Sequence, residues 1–165
     1  MTKLQEASLR HAKYYLDVAQ QNRGNLNPLD LPNIVTAVNY LAELGDWELF
    51  AAMVSAVSDY WLKVSQWNDY IKFNALLLSA DLERVEERIK VISKLAEIEE
   101  FRGNYEKASG LYKDLLQLYE QREENPPEDT LSVLRYLYKL ARIKNDDAEA
   151  RLYLEQGISI SREHN

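Results

Sequence analysis

One short turn recurs along this chain at nearly even intervals. It reads VSQWNDY at 64–70, FRGNYEKA at 101–108 and KNDDAEA at 144–150, with a looser version, LGDWELF, at 44–50. Aligned on Ser65, Gly103 and Asn145, the steps are 38 and 42 residues. A period in this range marks stacked helical hairpins. A single hairpin cannot bury its apolar face, so neighbours stack and share a core. A chain of 165 residues suits one domain or one array of such repeats.

Between the turns the apolar residues fall at three- and four-residue steps, the mark of amphipathic helices. Val85, Ile89, Ile92, Leu95, Ala96 and Ile98 form one stripe. Ala108, Leu111, Tyr112, Leu115, Leu116 and Tyr119 form the next, and Leu131, Leu134, Leu137, Tyr138 and Ala141 a third. A looser stripe, Ala148, Leu152, Leu154 and Ile158, closes the chain. The pattern predicts helices over 3–22, 31–44, 47–63, 67–80, 82–102, 105–123, 128–144 and 147–162. Asp30, Asp46, Asp81 and Asn104 stand where N-caps belong, and Pro127 suits a first turn. Gly24, Gly45 and Gly103 stand just past helical runs, where the chain needs positive φ, and Asn145 takes that place in the last turn. NRGNLNPLD (22–30) and EENPPED (123–129) read as connectors between helices. Sustained strand alternation is missing.

The net charge of −7 argues against a nucleic-acid binder, which needs a basic stripe. With no cysteine there is no disulfide, thiolate site or Cys nucleophile, which fits a reducing compartment. The N-terminus, MTKLQEASLRHAKYY, has no signal-type apolar core, and LFAAMVSAVSDYWL is interrupted by Asp59. These features lead us to expect a cytoplasmic protein with no membrane partner.

The stretch VISKLAEIEEFRGNYEKASGLYKDLLQLYEQREENP resembles one tetratricopeptide (TPR) repeat. Leu95-Ala96 stand at that family's Leu-Gly pair, Gly103-Asn104-Tyr105 at its turn, Ala108 at the helix crossing and Tyr112 at the following aromatic; Pro126 ends the second helix. Glu99 departs from the pattern, standing where the family has Tyr. The last hairpin matches less well, with Asp147 for the aromatic and Ala150 in the small-residue place. In the N-terminal half, Arg10-His11-Ala12-Lys13-Tyr14-Tyr15, Pro32-Asn33-Ile34, Gly45-Asp46-Trp47 and Tyr60-Trp61 are similar to the helical region of STAND-type signalling ATPases, the AP-ATPase and NB-ARC-like regulators. The resemblance implies an all-α fold: a right-handed superhelix of antiparallel helical hairpins, a TPR-like α-solenoid of about eight helices. It spans 1–165, with 1–80 similar to the STAND arm and 81–165 TPR-like. No G-x-x-x-x-G-K-[ST] is present, so this chain is not a nucleotide-binding part, and the resemblance implies the arm or sensor region, either excised from a larger protein or standing alone. GISISREHN resembles the end of a second helix after which more repeats are expected.

Chemistry is sparsely signalled. His11 and His164 are the only histidines; His11 has no Asp, Glu or Cys at a helical ligand spacing, and His164 is expected in a frayed end. Adjacent carboxylates such as Glu86-Glu87, Glu99-Glu100, Glu123-Glu124 and Asp146-Asp147 point about 100° apart on a helix and do not converge. No G-x-S-x-G elbow and no Glu-x-x-His pair occurs. We expect no enzyme activity, no metal and no cofactor. Trp47, Tyr60, Trp61, Trp67 and Tyr70 read as core packing or as a partner patch.

Arg135, Lys139 and Arg142 recur at helical steps and share a face, as do Glu97 and Glu100. The TPR resemblance puts the first helix of each hairpin on the concave surface. Lys90, Ser93, Glu97 and Glu100 would then line it from one repeat, and Ser132, Arg135, Lys139 and Arg142 from the next. The alternative for these residues is ordinary solvated charge. The expected function is a non-catalytic protein-protein interaction module that binds a protein or peptide on that face, as the arm or sensor of a STAND-type regulator. The alternative is a self-assembling scaffold of stacked helical repeats.

Overall fold

The computed structural model describes residues 2–22, 24–80, 85–122 and 126–164, the side chain of Glu87 excepted. The described residues form eight α-helices and one short 3-10 helix, with no strand. They are α1 (Lys3–Gln21), α2 (Leu31–Leu44), α3 (Trp47–Lys63), α4 (Trp67–Ser79), α5 (Val85–Phe101), α6 (Tyr105–Glu120), α7 (Pro127–Ile143) and α8 (Asp147–Glu163). The 3-10 turn is Pro28–Asp30. The chain divides into two compact units, Met1–Leu82 and Glu83–Asn165. None of these helices is long and apolar enough to cross a membrane.

In the first unit α1 packs on α2 and α3, and α3 pairs with α4. Phe50, Met53, Trp61 and Phe73 are fully buried, with Ile34, Val38 and Leu41 from α2 beside them. The Trp61 and Phe73 rings stack at 5.3 Å. The Trp61 indole N–H is the one buried side-chain donor with no acceptor among the described residues. Polar ties hold the edges. Lys63 Nζ donates to the Gly24 carbonyl at 3.0 Å and to Asn25 Oδ1 at 2.9 Å, and Lys72 Nζ to Asn39 Oδ1 at 2.8 Å. Of the five clustered aromatics, Tyr60, Trp61 and Tyr70 are core, whereas Trp47 is 40% exposed.

The second unit is two hairpins, α5–α6 and α7–α8, joined through α6 and α7. Ile89, Ile92, Leu95 and Ala96 from α5 meet Ala108, Tyr112 and Leu115 from α6. Leu134, Leu137, Leu140 and Ala141 supply the α7 share of the core. Ala108 is fully buried near the start of α6, where a larger side chain would hold the helices apart. Arg122 clamps the base: its guanidinium reaches Glu86 on α5 at 2.8 Å and Asp129 on α7 at 2.8 Å. Lys113 on α6 meets Glu149 on α8 at 2.8 Å.

Four interhelical turns share one backbone geometry. At Gly45, Ser65, Gly103 and Asn145, one or two residues past the helix end, φ is +73°, +58°, +78° and +58°. The N–H of each bonds the carbonyl three residues back, and the next N–H bonds the carbonyl five back. At Gly103 these bonds are 2.9 Å to Glu100 and 2.8 Å to Glu99, and at Asn145 they are 3.2 Å to Arg142 and 2.9 Å to Ala141. This is the Schellman closure, which satisfies the last carbonyls of a helix. Asp46 and Asp146 then cap the following helices through the N–H groups of Leu49 (3.2 Å) and Glu149 (2.9 Å).

Several local expectations are corrected. Asn104 occupies the N-cap position of α6, but its side chain makes no cap. It donates instead to the carboxylate of Glu99, which is buried in the preceding helix. Asp30 precedes α2 without capping it; Asn27 caps the 3-10 turn by accepting from Leu29 N–H at 3.1 Å. The 22–30 connector therefore carries a helical turn of its own. Helix α6 stops at Glu120, and Pro126 leads into α7 rather than ending α6. The closing stripe also differs: Ala148, Leu152, Leu154 and Ile158 are exposed, and α8 faces the core with Ala150 and Tyr153. Tyr138, read into the third stripe, is 37% exposed. The start signal at Asp81 and the pair Glu123-Glu124 lie outside the described residues.

Candidate interaction site

The second unit carries a shallow groove of about 430 Å³ lined by Glu97, Glu100, Phe101, Tyr105, Lys139 and Ile143. The ends of α5 and α7 and the start of α6 bring these residues together. The Schellman turn at Gly103 reverses the chain, so Phe101 and Tyr105 flank the same edge. The groove is part ionic and part apolar. Lys139 reaches across from α7 to bond the Glu100 carboxylate, and Tyr112 Oη donates to the same carboxylate at 3.2 Å. Burial, with the Glu100 charge second, pushes the Tyr112 phenol well above its ordinary range. The hydrogen bond to Glu100 raises the Lys139 ammonium. Phe101 is 77% exposed and Ile143 42%, a large apolar area for an ion-paired rim.

The eight residues expected on the first-helix face separate into groups. Glu97, Glu100 and Lys139 meet in this groove, where Glu97 is also paired with Lys94. Ser132 and Arg135 line a different and larger groove between α7 and α8. Arg142 pairs with Asp147 across its own turn, with both side chains largely in solvent. Lys90 is exposed on α5, and the Ser93 hydroxyl is hydrogen-bonded to the phenol of the buried Tyr119. The three cations Arg135, Lys139 and Arg142 therefore do not act at one place. Sequence reasoning missed Phe101, Tyr105 and Ile143 as groove residues. The available signal was an apolar residue on each side of a tight turn, at the ends of two helices.

The α7–α8 groove has a volume of about 790 Å³. Leu131, Leu134, Tyr138, Tyr153, Leu154 and Ile158 supply its apolar lining, and Glu128, Arg135 and Arg162 its charged rim. Of these, Leu154 is 50% and Ile158 43% exposed.

Among the described residues that line either groove there is no histidine. The adjacent carboxylates diverge: Glu99 turns to Asn104, and Glu100 to Lys139 and Tyr112. His11 packs its ring 4.8 Å from Tyr15. Among the described residues no three His, Asp or Glu side chains are grouped to hold a metal ion. No protein-family model, curated protein or solved structure matches this chain.

Proposed function

We propose that this chain is a non-catalytic protein-interaction module. In this reading its hairpins form a right-handed TPR-like array, and the α5–α7 groove takes a peptide segment of a partner. The observation that carries the reading is the groove itself. Two hairpins with the same turn place Glu100 and Lys139 beside the exposed Phe101 and Ile143. An ion-paired, aromatic-edged strip of this kind offers an apolar anchor point and a polar rim, which is how peptide sites divide affinity and specificity. The STAND-like features of the N-terminal half, from Arg10-His11-Ala12 to Tyr60-Trp61, support a place as the arm or sensor of a signalling regulator. A partner occupying the groove would then shift a regulator between states by differential binding.

The test is selection of a displayed peptide library on the wild-type chain. Selected peptides should lose at least about fivefold in affinity for a Phe101→Ala/Lys139→Ala variant, the truncation of one anchor and one rim charge. Equal binding to both proteins would remove the groove from the proposal. The signalling-arm part is checked separately by asking whether a P-loop ATPase is encoded in frame with this chain or binds it.

A further inference from the structure

The two hairpins of the second unit run in register along the sequence. An offset of 42 residues carries the end of α5 onto the end of α7 and the start of α6 onto the start of α8. The same offset matches the turn hydrogen bonds one for one. It therefore shows what normally lies on each surface. On the first hairpin the surface is covered by α7. Tyr136 of α7 stacks on Tyr112 of α6 at 4.9 Å, and Lys139 of α7 bonds Glu100 of α5. On the second hairpin the matching residues are uncovered. Tyr112, 2% exposed, corresponds to Leu154 at 50%; Ala96, fully buried, corresponds to Tyr138 at 37%.

Charge identifies the occupant further. Glu100, the acid of α5 that receives α7, is replaced at the same offset by Arg142, which pairs with Asp147 outside the groove, and Glu97 by Lys139. Ser93 becomes Arg135, and Glu120 becomes Arg162. Arg135 and Arg162 stand on the rim of the 790 Å³ groove, with Glu128 as its one acid. A helix like α7, whose flank is basic, would meet like charge here. A helix with the same apolar stripe and an acidic flank would meet its complement.

We propose that the α7–α8 groove is a docking site for an amphipathic α-helix of a partner protein, with an apolar stripe spaced as Val133, Tyr136, Leu137 and Leu140 are spaced, edged by carboxylates. This site is separate from the α5–α7 groove.

Two fluorescent, stapled 17-residue peptides test it: the α7 sequence itself, and that sequence carrying Arg135→Glu, Lys139→Glu and Arg142→Glu. Anisotropy with the full chain should show the acidic peptide binding at least about tenfold tighter, as expected of charge complementarity at an interface rim. Leu154→Ser/Ile158→Ser should cost that peptide at least about tenfold, and Arg135→Glu/Arg162→Glu should abolish its advantage over the basic one. Gly157→Gln guards against misfolding. An added Cβ there meets only Leu131 Cδ2 at 3.8 Å, and the exchange raises helix propensity while filling the groove. Loss of binding in this variant supports the site. Equal affinity of the two peptides, or full binding to Gly157→Gln, overturns it. A dimer seen by light scattering that Gly157→Gln dissociates also overturns it, since the occupant is then a second copy. Library peptides selected on the α5–α7 groove should bind Gly157→Gln normally, so the two readings fail independently.

Discussion

The Tyr112 and Tyr136 rings lie 4.9 Å apart with their planes 3° from parallel. This contact joins α6 to α7, and thus one hairpin to the next. It is the aromatic centre of a join that buried aliphatic residues fill and that the ion pairs Arg122–Asp129 and Lys144–Glu106 edge. A double-mutant cycle with Tyr112→Ala and Tyr136→Ala should give a coupling of about 0.5–1.5 kcal/mol in urea unfolding. Coupling near zero would mean that the stack is incidental to the join.

The same tyrosine sets an alkaline limit. Burial and the neighbouring Glu100 carboxylate raise the Tyr112 phenol from the ordinary 10.0. A group whose folded pKa is raised gives its full stability below the unfolded value and loses it as pH rises above that value. The second unit should therefore weaken from about pH 10 upward, because the unfolded chain releases that proton first. Tyr112→Phe should flatten this limb in pH-dependent thermal melts while leaving the Tyr136 stack in place. An unchanged alkaline slope would assign the loss to other groups.

The turns allow a test in which contacts hardly change. Ser65 and Asn145 hold φ of +58°, a region that disfavours a Cβ. Ser65→Gly and Asn145→Gly should each stabilise by about 0.5–1 kcal/mol, the strain relieved less the extra entropy of glycine when unfolded. Gly103→Ala should cost about 1 kcal/mol. A Cβ added at Gly103 meets nothing within 4 Å, so the cost is backbone strain alone. Chemical denaturation midpoints at constant m-value measure all three.

Glu99 and Asn104 should respond unequally to mutation. Glu99 is 5% exposed and takes its hydrogen bond from the amide of the exposed Asn104. Asn104→Ala leaves a buried carboxylate without that donor and should cost about 1–3 kcal/mol. Glu99→Leu removes the charge itself and leaves an amide that water can reach, so it should cost under about 1 kcal/mol. Equal losses in urea unfolding would mean that the pair is held by packing rather than by its hydrogen bond.

Helix number and most helix ends were legible because glycine, proline and capping aspartates punctuate the apolar stripes. Apolar periodicity, however, says only that a face is apolar and not whether anything covers it. That is why Leu154 and Ile158 read as core and stand in solvent. The role of Glu99 was hidden because its partner lies across a turn, where the side chain of Asn104 had a closer cap to choose. Charge spacing put Arg135, Lys139 and Arg142 on one face of α7, but their positions along it bring three different neighbours: the α8 groove, Glu100 and Asp147. Nothing in a one-dimensional pattern distinguishes these.

The Schellman turns have a consequence for descent. Their shape is held by two main-chain bonds that glycine, serine and asparagine all form here. The residue letters at these corners can drift while the corner stays in place. Two descendants of such an array could keep every reversal of direction and retain few identities. For chains of this kind, distances counted between left-handed residues are a more durable ruler of ancestry than matched side chains.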